Sequence, residues 1–280
     1  LSTDALVEDS TIINSGVISS NAVSKDVKKA FAYGLVGSEL VNSTITNSGT
    51  IEAKVNGKLN NQGFSLDYED TSGSTITNEK NGKLYGNIYL GDNGQFVNKG
   101  FVSLPYNANV LNTIQYLYDD GTPEDTRKGG VYISNLVNSG TIEIGAFKNS
   151  NSKIENTQIL TKNATFNAGS KLNVRVEAGS KAFVKGDKLE QVISAANSLT
   201  INELKVNSAT LEFEEVEVKP LTTNSNVKYI DLVVSKVNAF EEAGNTQGNA
   251  TNVSQVLNKL RTDPTLGSLF ANLYNLNEAD

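Results

Sequence analysis

The residues of this chain best suited to chemistry or recognition gather between Pro105 and Gly130. Tyr106, Tyr116 and Tyr118 stand there near Asp119, Asp120, Glu124 and Asp125, with Arg127 close behind. Tyrosine rings beside carboxylates can stack on sugar faces and hydrogen-bond sugar hydroxyls, so Tyr106, Tyr116, Tyr118, Asp119 and Asp120 form the candidate binding set. The acids also have the oxygen-rich character that Ca²⁺ prefers, but the spacing D-D-G-T-P-E-D matches no defined calcium loop. The plainest reading is a solvated excursion without a ligand. A carbohydrate-active reading, lyase or glycosidase, would use paired carboxylates, or an Arg or Lys base with Ca²⁺, and its candidates are Asp119, Asp120, Glu124 and Asp125 with Arg127. Against it, arginine is scarce and the acids are close neighbours in sequence.

Composition narrows the chemistry further. The 280-residue chain contains no His, Cys, Met or Trp and carries a formal charge of −7. Without His or Cys there is no Ser-His-Asp triad, no Cys-His dyad, and no His or Cys zinc or haem ligand. Carboxylate chemistry, Ser-Lys chemistry and oxygen-ligated metals are what remain. No catalytic residue, metal or cofactor is expected. An acidic chain without a clustered basic stripe is a poor nucleic-acid partner. No apolar run approaches the ~18 residues of a spanning helix. No signal peptide is visible and Leu1 is not an initiator, so the sequence reads as a processed or cloned fragment.

A repeated phrase must position these residues. It is clearest at Leu40 to Ile51 (L-V-N-S-T-I-T-N-S-G-T-I), and it returns at Ser10 to Ile18 and Asn135 to Ile144. Worn copies lie at Leu59 to Leu66 and Gln95 to Val102. Such a period marks a stacked array whose units cannot bury their apolar faces alone. Branched Ile and Thr suit extended strands. Gly16, Gly49, Gly100 and Gly140 suit a corner at positive φ. Asn14, Asn47, Asn98 and Asn138 can hydrogen-bond their own turn or pair as an amide ladder. The predicted fold is all-β, a right-handed parallel β-helix (a solenoid), with rungs of ~25 residues stacked into a rod. Ordinary β-turns in a sandwich are the competing reading.

Three regions follow along the chain. Residues 1–150 hold the N-terminal rungs, with a helical insertion at 21–34 and the excursion at 105–130. Val23, Val27, Ala30 and Phe31 share one helical face, Asn21 suits an N-cap, and Gly34 suits the C-terminal stop. That short helix would cap the open end of the coil or dock against it. Residues 151–247 form a second style of rung, in which the frame A-G-S-K recurs at 168–171 and 178–181. Glu212, Glu214, Glu215 and Glu217 read there as the polar face of half-buried strands rather than as catalytic acids. Residues 248–280 form an α-helical junction, with Val253, Val256, Leu257 and Leu260 on one helix and Leu266, Leu269, Phe270, Leu273 and Leu276 on the next.

The segment from Gly248 to Asp280 resembles the junction of Gram-negative autotransporters, which links a secreted β-helical passenger to an outer-membrane β-barrel. Residues 164–240, with F-N-A-G-S-K and G-D-K-L-E-Q-V-I-S-A, are similar to the end of such passengers that seeds folding after export. The barrel itself is absent from the sequence, and no protease or lipase motif precedes the rungs. The resemblance implies a type V secreted, cell-surface or extracellular protein tethered through its own barrel. Its expected role is that of a non-enzymatic adhesin, self-association factor or host-interaction factor. The expected partners are a host-cell surface protein, a glycan or a sister chain, with no nucleic acid. A toxin-like oligomerising passenger is a further alternative.

Overall fold

The branched runs that the sequence repeats become strands, and each run lies directly over the previous copy. A computed structural model describes residues 6–25, 30–60, 62–106, 131–177, 179–209, 211–222 and 224–237. These are all-β, with no helix among the described residues. The first pass of the chain is β1 (Leu6–Glu8), β2 (Thr11–Asn14) and β3 (Val17–Ala22). The second is β4 (Ala32–Val41), β5 (Thr44–Asn47) and β6 (Thr50–Val55). The third is β7 (Gly63–Asp70), β8 (Thr75–Asn78) and β9 (Lys83–Tyr85). In the fourth, the first two strands fuse into β10 (Asn87–Asn98), followed by β11 (Phe101–Ser103). Then come β12 (Val131–Asn138) with β13 (Thr141–Lys148) and a short return strand β14 (Ile154–Asn156). Two more passes follow, β15 (Ile159–Phe166) with β16 (Lys171–Val176), and β17 (Lys188–Ile201) with β18 (Lys205–Asn207).

Each pass pairs in parallel with the next, which gives two parallel-strand sheets in a solenoid-like stack. Seven passes at ~4.8 Å give a stack about 30 Å tall. Register runs straight through it. Ile12, Ile45, Ile76, Phe96, Leu136 and Ala164 form one inward column. Ile18, Ile51, Leu84, Val102, Ile142 and Leu172 form a second. From Ile45 and Ile51 onward these side chains are almost wholly buried. Burial of each such aliphatic side chain stabilises the fold by ~1.5–3 kcal/mol. Strands β7, β10 and β12 are buried on both faces at their first halves. Their outer aromatics, Phe64, Tyr89 and Tyr132, form a separate cluster with Leu160.

In the first five passes the corner is held by an amide ladder. Asn14 Nδ2 donates to Asn47 Oδ1 at 2.8 Å, and Asn47 to Asn78 at 2.8 Å. Asn78 donates to Asn98 at 2.9 Å, and Asn98 to Asn138 at 2.8 Å. The steps are 33, 31, 20 and 40 residues long, so the spatial repeat is regular although the sequence repeat is not. Each Nδ2 is shared with corner carbonyls, as from Asn47 to Gly49 O at 3.2 Å. The amides are buried, and these bonds replace the water they have lost. The ladder stops where Phe166 occupies the place opposite Asn138.

Two expectations need correction. The corner glycines Gly16, Gly49, Gly100 and Gly140 are not among the residues at positive φ. Gly49 and Gly100 are required instead by close approach. A Cβ on Gly49 would run into the Gly16 carbonyl, and one on Gly100 into the carbonyls of Glu79 and Gly82. The helix at 21–34 is also not formed in its described part. Asn21 and Ala22 complete β3 opposite Lys54 and Val55, and Ala32 and Tyr33 open β4 opposite Gly63 and Phe64. Parallel pairing satisfies this backbone and overrides the helical spacing of a segment too short to hold a helix alone. Residues 26–29 and the junction at 248–280 lie outside the described residues.

The last strands change direction. β19 (Leu211–Phe213), β20 (Lys219–Pro220) and β21 (Lys228–Val237) pair antiparallel, with β21 laid along β17. Its Ile230, Leu232 and Val234 close the apolar interior at that end.

Candidate binding face

Side chains alternate along β9, β11, β13 and β16, so inward Leu84, Val102, Ile142 and Leu172 leave Tyr85, Ser103, Glu143 and Arg175 on the outer face. Leu104, Pro105 and Tyr106 follow β11 beside this face, and they are fastened one by one. Arg175 Nη2 donates to Leu104 O at 3.1 Å, and Thr157 Oγ1 donates to Pro105 O at 2.9 Å. The Tyr106 hydroxyl donates to Glu155 Oε2 while its ring packs on Phe147, with centroids 5.4 Å apart. Gly145 makes room for Tyr106, because a Cβ there would press on the tyrosine at 2.7 Å.

Arg175 is the hub. Nε and Nη2 donate to Glu177 Oε1 at 3.2 and 2.8 Å. Nη1 donates to Ser103 Oγ at 3.0 Å and to Glu143 Oε1, and Ser103 donates in turn to Glu143 at 2.7 Å. All five guanidinium N–H donors are therefore used. Burial by itself would lower the Arg175 pKa. The charges and hydrogen bonds of Glu177 and Glu143 outweigh it and hold the pKa above its ordinary value. Burial, then the bond to Glu155, pushes the Tyr106 phenol well above its usual range. Arg175 thus stays charged and Tyr106 stays neutral at any physiological pH. Together they make a rigid base, and Tyr85 and Phe101 add an aromatic pair 5.8 Å apart on the same face.

Of the five candidate binding residues, Tyr106 is described, half-buried, with its hydroxyl committed to Glu155. Tyr116, Tyr118, Asp119 and Asp120 lie outside the described residues, as do Glu124, Asp125 and Arg127. The sequence reading missed Arg175, Glu143, Glu155 and Glu177. A signal existed in R-V-E at 175–177, which alternates charges across an apolar residue on a strand. What it could not show was the partners, which come from passes up to 72 residues away. Among the described residues no three acidic side chains converge to hold a metal ion. No protein-family model matches the chain, and no curated protein matches it in sequence.

Proposed function

We propose that this chain is a cell-surface passenger of the autotransporter type. It is a right-handed parallel β-helix exported through the outer membrane of a Gram-negative bacterium, with residues 248–280 as a helical linker to a barrel. Its work is non-enzymatic, as an adhesin, self-association factor or host-interaction factor. The observation that carries the reading is the fastened base at Leu104, Pro105 and Tyr106. A stack offers its surface to partners, and Leu104 to Tyr106 sit on it in an anchorage of five arginine hydrogen bonds and a packed tyrosine. Rigid support of a departing segment is the arrangement by which loops on scaffolds recognise partners.

The test is binding by the purified chain to epithelial cells, extracellular matrix, glycan arrays and an immobilised copy of itself. Saturable binding at micromolar concentrations is expected for at least one of them. Absence of binding to all four would refute the reading. Release of reducing sugar from acidic polysaccharide in the presence of Ca²⁺ would favour the carbohydrate-active alternative.

A further inference from the structure

The outer position that opens the strand after the corner forms a column through the second to seventh passes: Thr50, Lys83, Phe101, Thr141, Lys171 and Lys205. Beside it, over the glycine corner, lies an open groove of about 480 Å³ lined by Lys80, Lys83, Lys99, Lys171, Phe101 and Gly140. The charge of the groove is one-sided. Lys99 reaches Glu79 at 3.2 Å, and Glu203 accepts the Gly169 N–H at 2.9 Å on the neighbouring corner. Lys80, Lys83 and Lys171 are exposed and have no carboxylate partner among the described residues. The floor is set by the glycines that the stacking requires, and Phe101, held by Tyr85, presents a half-buried ring between the lysines.

Three ladder steps separate Lys83 from Lys171, about 14 Å. That spacing suits a ligand with sparse negative charge. Duplex DNA carries one charge per ~1.7 Å, and the chain's net charge of −7 opposes such a dense polyanion. A polymer of uronic acids carries its carboxylates further apart, with apolar ring faces between them that stack on an aromatic side chain. We propose that this groove binds an acidic polysaccharide. Lys83 and Lys171 pair with its carboxylates, Phe101 takes a sugar face between them, and Lys80 and Lys99 flank the corner side. The inference rests on the surface-binding reading above and gives it a substrate class.

The experiment titrates fluorescent polygalacturonate oligosaccharides with the full chain and follows anisotropy, with labelled dextran of equal length as the uncharged control. Polygalacturonate is expected to bind saturably and less tightly as salt is raised, and dextran is expected not to bind. Lys83→Gln/Lys171→Gln should weaken binding about tenfold or more, equivalent to ~1.4 kcal/mol or more. Lys58→Gln/Lys228→Gln, outside the groove, should leave it within about twofold, because it changes net charge equally. Equal losses in the two double variants, no binding of polygalacturonate, or tighter capture of oligo-dT or phosphatidylserine vesicles by the same lysines would each overturn the proposal. Cell attachment by a chain that does not bind polygalacturonate would overturn the groove and leave the adhesion reading intact. Polygalacturonate binding without attachment to cells, matrix or a second copy would keep the groove and confine the surface reading to glycan binding.

Discussion

Asn78 stands at the middle of the amide ladder, donating to Asn98 and accepting from Asn47 while wholly buried. Asn78→Ala removes both inter-pass bonds and leaves the carbonyls of Gly82 and Phe101 without its Nδ2. A loss of about 2–4 kcal/mol is expected, read as a lower urea midpoint at unchanged slope. Asn14→Ala at the outer end loses one ladder bond and should cost about 1 kcal/mol. The glycines give a sharper contrast. Gly100→Ala meets two carbonyls and should cost about 3 kcal/mol, whereas Gly16→Ala meets nothing within 4 Å and should stay within about 0.5 kcal/mol. Tyr68 sets an alkaline limit. Burial, with a contribution from Asp67, pushes its phenol up to about 12 from 10.0. Above pH 10 the unfolded chain releases this proton while the native chain keeps it, so stability is full below pH 10 and falls towards pH 12. The slope reaches about 1.4 kcal/mol per pH unit. Tyr68→Phe should flatten that part of the pH–stability curve in denaturant titrations at successive pH values.

Strands and corners were legible in the sequence to different degrees. T-I-T-N at 44–47 and 75–78 is word for word the same, and the two copies pair in register. Yet Asn78 escaped the sequence reading because its glycine follows after four residues rather than two. Asn14, Asn47, Asn98 and Asn138 were visible as a ladder because type, spacing and burial agree. The corner glycines were identified for the wrong physical reason, since close stacking cannot be inferred from one pass alone. The 21–34 helix failed because periodicity describes a segment by itself, and pairing with 54–55 and 63–64 decided it. The lysine groove was invisible as a basic stripe, because its members are scattered in sequence and only the register gathers them. Arg175 belongs to the same class of long-range feature. Arg175→Ala should leave Glu143 and Glu177 facing each other and loosen β11 against β13. With the ion pairs about one-fifth to one-quarter exposed, a cost of about 2 kcal/mol is expected. Faster amide exchange at Leu104, whose N–H bonds Glu143 O at 2.9 Å, would report it. Arg175→Lys should not restore protection, because one ammonium cannot reach four partners.

Along the whole stack, each pass contacts its neighbours through local pairing, and stability accumulates by addition along one axis. The antiparallel strands β19, β20 and β21 close the interior at the C-terminal end of the described stack. A stack of this kind presents a broad surface, which the proposed binding role would use. The most direct test displays residues 1–280 on a non-adherent bacterium through a generic outer-membrane barrel and scores cell–cell clumping and attachment to host cells, with and without residues 105–130. The account predicts clumping or attachment by the full chain and its loss or marked reduction when that segment is deleted. Verified surface display with neither clumping nor attachment would contradict it.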